Sequence, residues 1–150
     1  MIYTLNPSKI ASFLRKKLKE SDELEQFCQE KYGKSFSVSG VFDELNPPTE
    51  KDSPVLILLP LGKEEGGDLD SYSYDFVSQL QILPTSIEKG EDELCEILQL
   101  IQKVIFYSHE SQPLSSWRVA LNLSGGLPLM AGYADFQYNI PPTLGVEMNF

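Results

Sequence analysis

Four acidic side chains within one short segment form a local carboxylate cluster, and carboxylates are potential metal ligands. They lie within residues 63–70 and are Glu64, Glu65, Asp68 and Asp70. Carboxylate oxygens are the ligands that hard divalent cations prefer. The segment lacks the ligand positions and the closing glutamate of an EF-hand, and its lysine is not arranged as in a metal-dependent nuclease. We favour a solvated loop, with a weak divalent-ion site as the alternative, and predict no metal site.

Candidate nucleophiles and bases are few. His109, the single histidine, stands beside Glu110 at the end of a helical pattern, where the helix dipole favours it. It could act as a general base, but the sequence contains no Gly-x-Ser-x-Gly motif to supply a nucleophile. Cys28 and Cys95 lie in apolar helical patterns without a Cys-x-x-Cys motif and are predicted to be small core residues. We therefore predict no catalytic residue, no enzyme activity and no cofactor.

Phosphate and nucleic-acid binding are also disfavoured. The pair Gly125-Gly126 has no following helix and no Gly-Lys-Ser/Thr motif, so it is typical of a hairpin turn. The aromatic residues of the segment 72–76 alternate as on an RNA-binding sheet, but without flanking arginine or lysine they are better explained as core. A net charge of −10 argues against phosphate contacts.

The charge is unevenly distributed along the chain. Residues 1–19 carry five bases and no acid; the bases are Lys9, Arg15, Lys16, Lys17 and Lys19. All 22 acids lie in the rest of the chain. Such a helix either presents a solvated face or docks on the acidic surface of a neighbouring copy. Arg15, Lys16, Lys17 and Lys19 are therefore our candidate subunit interface.

Apolar periodicity predicts at least two helices. Asn6-Pro7 is a typical helix start, and apolar residues then recur at helical spacing from Ile10 to Leu18. At Ser21 this helix continues or restarts, and it ends at Gly33. A further helix is predicted over 86–107, with its apolar stripe at Leu94, Leu98, Ile101 and Ile105.

Strand patterns fill the rest of the chain. Residues 35–39 alternate, with Gly40 a candidate bulge. The run 55–61 is continuously apolar, as in a strand covered on both faces. Residues 72–82 alternate most clearly, and 117–123 with 133–140 form a predicted hairpin. The region 104–150 carries little charge, which is typical of a sheet face that meets another protein.

These elements predict one α+β domain spanning 1–150. We expect a mostly antiparallel sheet of about five strands with one or two helices packed on one face. A chain of 150 residues is long enough to bury about 70% of its unfolded surface. We expect no membrane partner, because the sequence has no 18-residue apolar run and no signal-peptide pattern. The expected compartment is the cytoplasm.

The order of these elements resembles the phage tail-terminator family, the minor tail protein U-like proteins that cap the tail tube of long-tailed phages. The matching stretches are SPVLILLPLG (53–62), YSYDFVSQLQI (72–82), EDELCEILQLIQKVI (91–105) and WRVALNL with AGYADFQYNI (117–140). The likeness covers most of the chain but lies in order and pattern, without a diagnostic residue motif.

The resemblance implies a specific role in phage or prophage virion assembly. Members form a hexameric ring that stops polymerisation of the tail tube and presents a surface to the head or neck. Tail tube protein and head/neck proteins would then be the partners, in the host cytoplasm during assembly and in the virion tail afterwards. The segment holding Glu64, Glu65, Asp68 and Asp70 suits a DNA-passing lumen that does not bind phosphate. The family has no catalytic residues to transfer.

Two other functions remain open from the residues. The chain could be an intracellular adaptor or immunity-type module whose acidic charge binds a basic partner. It could also be a small metal-dependent enzyme that uses the carboxylates of 64–70. A closed ring is expected only of the tail protein, and tight metal binding only of the enzyme.

Overall fold

The computed structural model describes residues 6–66, 71–123 and 129–141. These ranges hold three α-helices, five β-strands and one short 3-10 helix (Ile87–Lys89). The helices are α1 (Pro7–Lys19), α2 (Asp22–Tyr32) and α3 (Gly90–Tyr107). The strands are β1 (Ser37–Ser39), β2 (Val55–Glu64), β3 (Tyr72–Ile82), β4 (Leu114–Asn122) and β5 (Met130–Ile140).

The first helical pattern forms two helices, because a serine interrupts it. Asn6 caps α1 by accepting a hydrogen bond from the Ser8 amide at 2.8 Å. Ser21 Oγ then accepts from the Leu24 amide at 3.3 Å and starts α2. Gly33 ends α2 with φ 65°, a left-handed conformation that favours glycine.

The five strands form one sheet in the order β1-β2-β3-β5-β4. The pair β1–β2 is parallel, and the other three pairs are antiparallel. The predicted α+β class with a mostly antiparallel five-stranded sheet is confirmed. The described ranges hold three α-helices, one more than expected, since α1 and α2 are separate.

The hydrophobic core lies between the helices and one face of the sheet. Alternate residues of β3, from Tyr72 to Ile82, are buried against this core. The α3 stripe contributes Leu94, Leu98 and Ile101, and Leu98 is only 2% exposed. This packing confirms the stripe and the alternation read from the sequence.

Three details differ from the sequence-based expectation. Gly40 is not at a bulge of the described sheet; the register shifts lie between Pro60 and Gly62 and between Leu114 and Ser116. The apolar run of β2 is buried from Val55 to Leu58, but Leu61 is exposed. The turn predicted at Gly125-Gly126 lies outside the described residues.

Candidate interaction surfaces

Arg15 belongs to the fold of the monomer. Its Nε donates a hydrogen bond to the Leu58 carbonyl at 2.8 Å. Its guanidinium lies against Gly40, where an added Cβ would stand 2.5 Å from the Arg15 Cζ. Burial lowers the pKa of Arg15. Arg15 therefore differs from the neighbouring lysines, because its side chain spans the junction between α1 and β2 within the monomer. Its place in a subunit interface stays a prediction.

The three lysines of the candidate interface remain on the surface of α1. Lys16 and Lys19 are exposed, and Lys16 approaches Glu20 at 4.0 Å. Lys17 is half-buried, and its Nζ lies 5.4 Å from the centre of the Phe13 ring. All three stand near the C-terminal end of α1, where the helix dipole favours positive charge. The surface basic patch therefore consists of Lys16, Lys17 and Lys19. Lys9 is also exposed, but it lies near the start of α1.

The candidate lumen segment is described only in its first part. Glu64 is exposed at the end of β2, and Glu65 pairs with Lys63 at 2.8 Å. Asp68 and Asp70 lie outside the described residues. Within the described ranges, no group of three or more histidine, cysteine, aspartate or glutamate side chains could hold a metal ion.

His109 forms local contacts just after α3. Its Nδ1 accepts a hydrogen bond from the Ser111 amide at 3.1 Å and lies 2.8 Å from Ser111 Oγ. Its ring lies edge-on to Phe13, 6.4 Å between centres. These contacts fix the turn that leads from α3 towards β4.

The cysteines differ in burial. Cys28 is buried on α2, as predicted, and burial raises the pKa of its thiol to about 12. That pKa keeps the thiol protonated at neutral pH, which is unlike a reactive cysteine. Cys95 on α3 is half-buried, so it is only partly the core residue that the pattern predicted.

Glu93 is a buried carboxylate in the first turn of α3. It is 2% exposed and accepts hydrogen bonds from the Thr85 amide and hydroxyl, each at 3.2 Å. Burial, followed by the charge of Glu93, raises the pKa of Tyr32. Glu93 thus stabilises the connection from β3 into α3, and its acidic neighbours in the first turn gave no sign of this burial.

The outer face of the sheet, opposite the helices, carries an apolar groove of about 290 Å³. Its floor is formed by neighbouring residues on three strands, including Ile57, Val77 and Tyr133. Phe42, which is 50% exposed, borders it from the loop after β1. Asp135 gives the rim a negative charge. The groove falls partly in the low-charge region 104–150 that the sequence indicated as a contact face.

Strand β4 forms the long edge of the sheet. Its nine residues pair with β5, and no other described strand pairs with its second edge. Val119 and Leu121 point to the helix side, yet they are 41% and 36% exposed, because α3 does not cover the edge. The sequence predicted this strand, but it gave no sign that the strand would lie at an edge.

No protein-family profile matches the sequence of the chain, and no curated protein matches it significantly. In the described ranges, no helix has the length and apolar content that crossing a membrane requires.

Proposed function

We propose that this chain is a structural assembly protein of a phage or prophage tail, which caps the tail tube as a ring and offers a surface for head or neck joining. The observation that carries the proposal is the outer position of β4: among the described strands only β5 pairs with it, and Val119 and Leu121 on it are 41% and 36% exposed. Such an edge presents a row of amide and carbonyl groups that can pair with another chain. Soluble monomers usually shorten, cover or charge such edges.

The apolar residues at this edge support the same proposal. Val119 and Leu121 leave apolar surface on this outer strand, and Arg118 is the one charged residue of the strand. A contact made at this strand would bury the apolar side chains together with the polar edge of the strand. An edge with these properties suits a stable contact between subunits better than it suits an isolated chain.

Ring closure needs two unlike surfaces, one of which meets the other on the next copy. The patch of Lys16, Lys17 and Lys19 on α1 and the acidic remainder of the chain are two such surfaces. The outer edge of β4 and the surface of the next copy that contacts it would be a second set of two unlike surfaces. A hexamer is the ring size that the likeness to tail terminators implies, and tail tube and head/neck proteins are the partners.

The experiment compares two triple variants in cells that assemble the phage or prophage tail. The test variant is Lys16→Glu, Lys17→Glu, Lys19→Glu. The control is Lys31→Glu, Lys51→Glu, Lys89→Glu, which changes the net charge equally at exposed lysines outside α1. We expect the test variant to give overlong or headless tails and the control to give normal ones. Removing the chain entirely must produce the same defect.

Two results would contradict the proposal in different ways. Normal, head-joined tails from the lysine variant would show that the patch is only a solvated face. Normal tails without the chain would exclude the tail function. In that case a purified monomer that binds one basic protein would indicate the adaptor function instead.

A further inference from the structure

The turn after β1 exposes a cluster of large apolar side chains. They are Val41, Phe42 and Leu45, which are 70%, 50% and 90% exposed. Single exposed apolar residues are ordinary, but a cluster of them marks a contact site. Leu45 does not pack on its own subunit, because almost all of its surface is exposed. We call residues 41–46 the acidic turn, since they contain two exposed acids, Asp43 and Glu44, and no base.

Hydrogen bonds within the acidic turn hold Leu45 in place. Asp43 Oδ1 accepts from the Leu45 amide at 3.0 Å, and Asp43 Oδ2 accepts from Asn46 Nδ2 at 3.0 Å. The Asn46 amide also donates to the Asp43 carbonyl at 3.2 Å, which closes the turn. A leucine presented on such a preorganised turn loses less conformational entropy when it binds.

A groove of about 390 Å³ on the helix side of the molecule offers a complementary surface. It lies where the end of α1 and the start of α2 meet the last turns of α3. Val104 and Tyr107 supply apolar surface, and Tyr107 is 65% exposed. An exposed tyrosine in a groove is a typical anchor of a protein interface.

The same groove carries a small excess of positive charge. Among its described lining residues, Lys17 and Lys103 (two bases) stand against Glu23 (one acid), which leaves a net charge of +1. Lys103 pairs with Glu23 at 2.8 Å, but both side chains are more than half exposed, and such pairs stabilise a protein little. The Lys103 ammonium is therefore available to a partner's acid. We call this the basic groove, and through Lys17 it adjoins the basic patch of α1.

Charge decides between the two grooves as acceptor of the acidic turn. In the basic groove, Leu45 meets apolar surface while the acids of the turn approach lysines. The outer-face groove is also apolar, but Asp135 on its rim would face those acids. Like charges brought together at a contact oppose binding. The basic groove is thus the better match.

We propose that the acidic turn of one copy docks in the basic groove of a second copy, with Leu45 against Val104 and Tyr107 and the acids of the turn beside Lys17 and Lys103. This inference rests on the proposed self-association and names one of its contacts. Each copy donates one turn and accepts another. Donor and acceptor are different surfaces, so the contact is heterologous and can repeat until a ring closes.

Cross-linking of two mixed variants tests which surfaces meet. The background is Cys95→Ser, since Cys95 is half-buried whereas Cys28 is buried. One variant carries Glu44→Cys and the other Val104→Cys, which leaves Leu45 and Tyr107 in place. We expect a short bismaleimide reagent to link the two variants when they are mixed, and to give few linked pairs with either variant alone.

The control mixture replaces Val104→Cys by Tyr133→Cys, which lies in the outer-face groove. We expect it to give few linked pairs. Equal yields from the two mixtures would overturn the proposal, because the turn would then have no preference for the basic groove. A test mixture that links no better than its single variants would overturn it as well.

Truncation of Leu45 tests its role as the anchor. We expect Leu45→Ala to weaken self-association about tenfold, as loss of an interface anchor does. Ile87→Ala is the matched control, because Ile87 is a large apolar residue that is 73% exposed elsewhere on the surface. Its affinity should stay within about twofold of the wild type. Equal losses in the two variants would refute the role of Leu45.

A double variant tests whether Leu45 contacts Tyr107. Each of Leu45→Ala and Tyr107→Ala should weaken self-association, and the two changes together should weaken it less than the product of the single effects. Sedimentation velocity measures the three affinities. Independent effects of the two changes would show that these residues do not meet.

The outcomes distinguish this contact from the proposed function. Cross-linking is done under the condition in which the wild-type chain assembles, alone or on tail tubes. If the wild type forms a ring and the test mixture gives no excess of linked pairs, the ring uses another contact and only this inference fails. If the wild type associates under neither condition, the proposed function fails as well.

Discussion

The Nε atom of Arg15 donates a hydrogen bond to the carbonyl oxygen of Leu58, and this bond joins the basic helix α1 to strand β2. The guanidinium fits beside Gly40, where a side chain would collide with it. The interaction divides the basic cluster into two parts with different roles. Arg15 bonds to β2 within the monomer, while Lys16, Lys17 and Lys19 remain on the surface of α1.

Reversing the charge at Arg15 should therefore destabilise the monomer itself. We expect Arg15→Glu to lower the free energy of unfolding by about 1.5–3 kcal/mol, the usual value of a hydrogen bond to a charged group. Urea denaturation measures the change. Lys16→Glu, one residue away and exposed, should cost only about 0.3–1 kcal/mol through the helix dipole. Equal stabilities of the two variants would contradict the structural role of Arg15.

The core prediction concerns Leu98 on α3 and Gly132 on β5. Leu98 is 2% exposed, so Leu98→Ala should cost about 2–5 kcal/mol. A Cβ at Gly132 would stand 2.8 Å from Leu98 Cδ1, so Gly132→Ala requires that side chain to move. Removing the leucine makes room, and the double variant should be less destabilised than the two single changes together. Strict additivity in chemical denaturation would show that the two positions do not touch.

Glu25 should make part of the stability depend on acid pH. Hydrogen bonds from Gln29, then Ser35 and the Phe36 amide, lower the pKa of its carboxyl below the ordinary 4.5. A carboxyl with a lowered folded-state pKa stabilises the protein above its unfolded pKa, and this stabilisation is lost as pH falls through the folded value. The wild type should exceed Glu25→Gln in Tm at neutral pH, and the difference should shrink below about pH 4.5.

The control for this pH series is Glu44→Gln in an exposed loop. Its Tm should stay close to that of the wild type over the same range. A constant difference between the wild type and Glu25→Gln down to the lowest pH would refute the linkage.

The carboxylates of residues 64–70 should not form a tight metal site. Calorimetric titration of the whole chain with Mg²⁺, Mn²⁺ or Ca²⁺ should show no stoichiometric tight binding. The variant with Glu64, Glu65, Asp68 and Asp70 changed to Asn or Gln should give the same trace. Tight binding that this variant loses would favour the metal-dependent enzyme.

Much of the fold could be predicted because the patterns are long and locally consistent. The alternation over 72–82 gave the bounds of β3, and the stripe from Leu94 to Ile105 gave the buried side of α3. The parallel pairing of β1 with β2 could not be predicted, since β1 has only three residues. Its position depends on long-range packing, to which its own alternation contributes little.

The candidate interaction surfaces were harder to predict, because composition does not show which way a side chain points. Helical spacing placed Arg15 off the apolar stripe, but a long arginine can reach a neighbouring strand while its Cα faces outward. Similarly, Glu93 follows two acids in a helix start, and only the tertiary fold brings Thr85 to it. The edge position of β4 depends on strand order, which alternation does not determine.

The most direct test of the account is the mass of the purified chain, measured alone and after mixing with tail tubes from a mutant that lacks it. We predict a closed oligomer, sixfold if the likeness to tail terminators holds, of the 16.9 kDa chain in at least one condition. On tubes it should be one ring at one end. A 16.9 kDa monomer in both conditions, with no density at the tube ends, would contradict the account.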